Sequence, residues 1–377
     1  MRFRLTDEQR DFGRSLNALL TAADTPAAVR SWGAGDPGPG LALWARLAEA
    51  GVFALAVPEA YEGVGAGPVE LAVAFTELGR HAVPGPVVET VAASALLTEL
   101  ARRGEVAPAK RLLPGIASGE TVTTLAMPPG TALPGRGPSS RGAMGVPPDG
   151  VRERVGTTDG ALAGPRLPVP AVPTRAAPSR DAYALDADVA GLTLVVVGDE
   201  LRIARGHGPV RVSADPARRF ARPDGGGELL AAGPAVVAAA AHAAGWAMLA
   251  TAAQSLGVGL TLLDRTVAYA RQRTQFGTAI GSFQAVKHRL ADTLIGLEFA
   301  RPLLFGAALT FESTDLAAAK VSAGEAAWAA ARTALQIHGA VGYTEELDLS
   351  LWLRKARPLR DAWGTPSWCR AQVLGAS

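Results

Sequence analysis

The sequence predicts an α+β fold in three parts: an N-terminal helical domain, a small middle β-sheet or barrel domain, and a C-terminal helical bundle. Three observations carry this reading. Helical periodicity runs to about Gly119. A Gly/Pro-rich stretch follows, with short β-like runs around it. Helical periodicity then resumes and continues to the C-terminus. Strands and helices are segregated rather than alternating, which argues against a doubly wound parallel sheet. The expected parts are 1–119, 120–226 and 227–377.

In the first part, Thr6 followed by Gln9 forms a capping box, so a helix should start there. Phe12, Leu16, Leu19 and Leu20 then share one face. A second helix is expected from Leu41 to Ala50, stopped by Gly51 as a C-cap. Val52 to Pro58 is short and apolar and reads as extended, and Val69 to Arg80 as helix. In the middle part, half of the residues from 127 to 150 are Gly or Pro, which no helix tolerates, so a long surface loop is expected. The runs Thr121–Ala126, Leu192–Val197, Leu201–Ala204 and Val210–Val212 suggest a small antiparallel sheet or barrel. In the third part, Phe283, Val286, Leu290, Leu294 and Leu297 make an apolar stripe suited to a helix bundle. Asp315–Gln336 and Glu345–Arg357 supply further helices.

Composition narrows the function. The 377-residue chain is 48% hydrophobic and 19% charged, with a formal net charge of +2. Nothing in that balance resembles the concentrated basic stripe of a nucleic-acid reader. A single cysteine, Cys369, excludes an internal disulfide and a thiolate metal cluster, and the five histidines show no ligand spacing. The N-terminus is charged and amphipathic and lacks the apolar run of a signal peptide. Ala231–Leu263 is long and apolar, but it runs without a break into a charged amphipathic stretch and reads as a buried central helix. A soluble cytoplasmic protein is expected. There is no Gly-rich dinucleotide fingerprint and no phosphate-binding P-loop.

Two segments carry a specific resemblance. Tyr269-Ala270-Arg271-Gln272-Arg273-Thr274-Gln275-Phe276-Gly277, followed by Ile280, Phe283 and Gln284, resembles the acyl-CoA dehydrogenase signature Y-x-x-x-R-x-x-F-G…I…F/H-Q. Gln336-Ile337-His338-Gly339-Ala340-Val341-Gly342-Tyr343 resembles the family's Q-I-x-G-G-x-G-Y turn, with Ala340 at its second glycine. Leu47–Gly51, Ala56–Glu59 and Glu62–Gly65 look like the family's L-x-x-x-G…V-P-E-x-x-G-G-x-G. The resemblance implies FAD as cofactor, an acyl-CoA or acyl-carrier-protein substrate, and a homo- or hetero-oligomer, dimer or tetramer, with each flavin between subunits. It implies that Arg273, Phe276 and Gln284 meet the ADP half of FAD, with Gln336 and Gly339 reaching it from another chain, and that Thr365 touches cofactor. The chemistry suits the residues. Arg273 offers a forked donor to a diphosphate, Phe276 an apolar surface, and Gly339 close backbone approach.

The family's base departs from the pattern. The family removes an α-proton with a glutamate, in most members within Y-E-G-T. Here the matching stretch is Ala362-Trp363-Gly364-Thr365, and the alternative location on the preceding long helix falls on Ala247. Glu228 and Asp361 are the carboxylates to test as stand-ins. The T-E-P…G-S-D flavin motif is reduced to Ala126-Met127-Pro128, and the W-I-T wall has no match at 162–169. The resemblance thus implies α,β-desaturation of an acyl thioester, either with an unrecognised base or beside a sister subunit that brings one. The alternatives are a non-catalytic structural subunit and a flavin-dependent monooxygenase on the same fold.

Overall fold

The structure is a computed structural model that describes residues 5–128 and 182–375. The expected Gly/Pro loop and the 162–169 stretch lie outside the described residues.

Six helices form the N-terminal part: α1 (Asp7–Thr21), α2 (Thr25–Gly33), α3 (Gly38–Glu49), α4 (Pro68–Arg80), α5 (Val87–Arg102) and α6 (Val106–Ala117). The capping box starts α1 as expected: Gln9 N donates to Thr6 Oγ1 (3.2 Å) and Thr6 N to Gln9 Oε1 (2.9 Å). Val52–Pro58 is not extended. It winds through consecutive tight turns, with Ala54 N donating to Gly51 O and Val57 N to Ala54 O, both 3.1 Å. The apolar run is buried either way, and periodicity does not separate a strand from buried turns over so short a length.

The middle part contains two small sheets. β1 (Thr123–Ala126), β3 (Leu192–Val197), β4 (Glu200–Ile203) and β7 (Glu228–Ala232) form one in the order β1-β3-β4-β7; β2 (Ala184–Leu185), β6 (Arg219–Ala221) and β5 (Arg211–Val212) form the other in the order β2-β6-β5. β1 pairs parallel to β3, so the larger sheet is mixed rather than antiparallel. A long excursion separates those strands in sequence, which is what a parallel pair requires. β7 lies in the stretch expected to be helical. It pairs with β4, and the helix begins only after Gly233.

The C-terminal part is built around α7 (Pro234–Gln272). A small hairpin, β8 (Thr274–Gln275) and β9 (Thr278–Ala279), leads to α8 (Gln284–Thr310); α9 (Ser313–His338), α10 (Leu349–Asp361) and α11 (Pro366–Leu374) follow. α7 and α8 are both long and apolar enough to cross a membrane, but 67% of the most apolar window of α7 is buried inside the protein. α7 is the core helix: α4, α5, α8, α9 and α10 all pack on it. The stripe expected on α8 is only partly buried. Leu297, Ala300 and Leu304 face the core, while Leu294, Ile295, Phe299 and Leu303 are exposed, Phe299 at 71%. α8 is apolar on two sides, and one of them faces outward.

Candidate active site and flavin-facing surface

A cavity of about 710 Å³ lies where the small sheets, α7 and the turn between α10 and α11 meet. Leu125 and Met127 wall it from the first sheet's side, Phe220 from the second, Met248 from α7, and Trp363 and Trp368 from the C-terminal side. The turn Ala362–Thr365 is built for this place. Trp363 has φ +52° and Gly364 φ +128°. A Cβ at Gly364 would stand 2.9 Å from Cys369 Sγ and 3.2 Å from Met248 Cε, so glycine lets the turn lie flat on α7. Lys320 holds it from behind, donating to Arg360 O (2.9 Å) and Gly364 O (3.2 Å). Thr365 caps α11: its Oγ1 accepts from Trp368 N at 3.3 Å. Thr365 lines the cavity with that hydroxyl already used in the cap.

Trp363 is anchored, not merely packed. Its Nε1 donates to Glu89 Oε1 at 3.1 Å. Glu89, on α5, is 4% exposed and lines the cavity. Burial pushes its carboxyl above the usual carboxylate range, against the opposing pull of Arg218, a backbone hydrogen bond, the indole and Lys355. Sequence reasoning missed Glu89; the available signal was a lone carboxylate in the apolar run Val87–Leu97 with no cation three or four residues away. Of the two carboxylates proposed as stand-ins, Asp361 lines the cavity but is exposed and accepts from Arg357 Nε (3.3 Å) and Arg360 Nη1 (3.4 Å). Glu228 is on β7, outside the cavity lining, in a bidentate pair with Arg111, one contact being 2.8 Å. Ala247 is fully buried in the core.

Lys320 gives the turn a pH dependence. Burial is the main cause that pushes its ammonium down to about 8 from 10.5. Between those values the unfolded chain binds the proton and the folded chain does not, so this group makes stability rise with pH over that window. Relative to a Lys320→Met variant, the wild type should therefore gain stability as pH climbs from about 8 to 10.5. Urea unfolding of both proteins across that range checks it. A wild type that loses stability relative to the variant as pH rises contradicts the assignment.

The other expected site residues lie elsewhere. Arg273 ends α7, Phe276 sits on the β8–β9 hairpin at φ +54° and 93% exposed, and Gln284 opens α8. All three are exposed, and Phe276 meets Phe283 edge-on at 6.1 Å. Tyr269 stacks on His338 at 4.1 Å, which brings the last turn of α9, with Gln336 and the exposed Gly339 (φ +62°), to the same end of α7. The structure thus gathers Arg273, Phe276, Gln284, Gln336 and Gly339 at one end, while Thr365 is at the cavity. Met248 and Gln272 are about 36 Å apart along α7 at ~1.5 Å per residue. The donor set itself fits the ADP half of a flavin: the side chains of Arg273 and Gln284 make no hydrogen bond or ion pair among the described residues, and an exposed aromatic stands between them.

Helical parts flank a small sheet region, and a cavity lies where they meet. The chain belongs to the acyl-CoA dehydrogenase family. Residues 6–120 match the family's N-terminal domain and residues 237–374 its C-terminal domain. It is 30% identical over 353 residues to acyl-CoA dehydrogenase IpdE2 of Mycobacterium tuberculosis, covering 93% of this chain and 91% of that protein. Among solved structures it resembles the ChsE4-ChsE5 complex from Mycobacterium tuberculosis, with a TM-score of 0.72 and 22% identity over 100% of this chain and 98% of that one. It also resembles PigA with FAD and proline, with a TM-score of 0.74 and 19% identity over 100% of both chains. FAD is the cofactor.

Proposed function

We propose that this chain is the base-lacking subunit of a heteromeric acyl-CoA dehydrogenase that desaturates an acyl thioester between its α and β carbons. The thioester is carried by CoA or by an acyl carrier protein. The observation that carries the reading is Trp363. In this reading Trp363, an indole held by Glu89, stands in place of the family's proton acceptor, and indole accepts no proton. The residues suited to FAD lie instead at the far end of α7, exposed. In this reading Arg273 forks onto the diphosphate of a flavin shared with a sister subunit. Phe276 covers the adenine or ribose, and the Gly339 backbone closes on it. FAD, when bound, supplies the acceptor for the β-hydride, and the sister subunit supplies the base. The outward apolar side of α8 gives a second chain a surface to cover. The buried α7 accords with a soluble, cytoplasmic protein.

The structural-subunit reading shares the missing base and differs in flavin contact, so Arg273 separates them. In a complex with a base-bearing family member from the same organism, Arg273→Gln in this chain should lower flavin affinity at least about tenfold. Unchanged flavin content would favour a purely structural role. The chain alone should show little dehydrogenase activity. Rapid bleaching of its flavin absorption by a saturated acyl-CoA would overturn the heteromeric reading.

A further inference from the structure

The cavity wall carries a buried cation with no ion pair among the described residues. Arg218 lines the cavity and is 6% exposed. Its neighbours are already paired. Arg219 meets Asp188 at 3.1 Å and Asp186 at 3.9 Å, and Asp215 meets Lys355 at 3.1 Å. Arg218 has no ion pair among the described residues, and its buried Nε has no hydrogen-bond acceptor. The ring of Phe220 lies 5.8 Å from its Cζ, and Asp186 and Glu89 feel its charge without pairing with it. Glu89 lines the same cavity, and its Oε2 is likewise buried and unpartnered. The two side chains are close enough to affect each other's charge but do not form an ion pair. The rest of the wall is mainly apolar: Leu125, Met127, Leu185, Met248, Trp368.

We infer that this cavity binds an apolar carboxylate, with Arg218 as its anion-binding residue. A buried guanidinium without a counter-charge is costly, and an incoming carboxylate removes that cost while its apolar body fills the hydrophobic walls. Glu89 Oε1 accepts from Trp363, and burial pushes its carboxyl up, which weakens it as a counter-charge for Arg218. The forked donors of a guanidinium select an acceptor-only group over an alcohol or an alkyl end. The carboxylate can be that of a free acid or the far end of a dicarboxylic acyl thioester. The inference does not depend on which subunit supplies the base.

The test is calorimetric titration of the full-length protein with decanoate, decanol, decanoyl-CoA and the ω-carboxy analogue of decanoyl-CoA. Either acid should bind at least about tenfold more tightly than its neutral counterpart. The tighter of the two acids tells whether a free or a thioester-linked carboxylate is the source. Arg218→Met should abolish the acid preference and leave decanol or decanoyl-CoA binding within a few-fold, whereas Arg218→Lys should keep part of it. Acids that bind no better than their neutral partners overturn the inference, even if acyl-CoA binding supports the dehydrogenase reading. So does an Arg218→Met protein that loses flavin while its acid preference persists, since Arg218 then serves the cofactor. If Arg218→Met does not fold, the wild-type comparison and Arg218→Lys still decide. Absence of binding by all four probes overturns the carboxylate site, while the acyl-thioester reading is decided separately by the flavin-bleaching assay.

Discussion

Gly257→Ala should destabilise the fold by roughly 2–4 kcal/mol, although alanine is the better helix former by about 1 kcal/mol. The reason is how closely α4 and α7 approach. A Cβ at Gly257 would stand 2.0 Å from Thr76 O and 2.7 Å from Arg80 N. From the other side, a Cβ at Gly79 would stand 2.1 Å from Gln254 O. The obstacles are backbone atoms, which cannot rotate away. One helix must move, and α7 is wedged among α5, α8 and α9. Separating the helices opens the core around Leu71, Phe75 and Leu78, all fully buried. The strain exceeds the gain in helix propensity, so the sign is set by packing. Gly296 on α8 is the control. Its added Cβ would meet only Ala326 Cβ at 3.9 Å, so Gly296→Ala should be neutral or stabilising by up to about 1 kcal/mol. Urea denaturation of both variants reads the difference. A Gly257→Ala protein within about 0.5 kcal/mol of wild type would show that the crossing has slack.

That crossing also explains what could and could not be read from the sequence. The helices announced themselves locally, through the Thr6–Gln9 box, the Leu16–Leu20 face and the unbroken Ala/Gly run of α7. These are short-range signals, and α7 and α9 appear with their ends displaced by only a few residues. The β7 strand was hidden because Glu228–Ala232 is apolar and alanine-rich like the helix after it; only its pairing with β4 makes it a strand. The burial of α8 was misread because both its faces are apolar, and periodicity cannot say which face meets the core.

The site divides the same way. Arg273, Phe276, Gln284, Gln336 and Gly339 belong to contiguous motifs, so they could be named before any coordinates. The sequence could not say that they gather at the end of α7 far from Met248, which lines the cavity. Glu89 and Arg218 reach the cavity from α5 and from the turn before β6, and Lys320 on α9 braces the turn that closes it, all separated by long stretches of sequence. Each is a single charge in an unremarkable setting, and only tertiary packing makes it significant. Trp363 was visible as a departure from a motif. Its hydrogen bond to a residue on α5 was not.

Lys355→Met should cost about 3–5 kcal/mol, the penalty of stranding a buried carboxylate. Lys355 on α10 and Asp215 are each 3% exposed at the side chain and lie 3.1 Å apart. Lys355 Nζ also approaches Val83 O at 3.5 Å, and Asp215 Oδ1 accepts from Ala217 N at 3.0 Å. This one pair therefore ties the C-terminal bundle to the turn that presents Arg218 to the cavity. Methionine keeps most of the lysine stem's volume, so a cavity term is small, and the loss comes from Asp215 keeping its charge without a partner. The double variant Lys355→Met/Asp215→Asn separates the two costs. Its asparagine oxygen still accepts from Ala217 N, and no charge is left behind. It should recover more than half of the loss in stability, with a coupling energy of roughly 2–3 kcal/mol between the two positions. If the double variant is as unstable as the sum of the singles, the pair acts through packing alone. Recovery of stability with altered carboxylate binding would show that the ion pair sets the position of Arg218 as well as the strength of the fold.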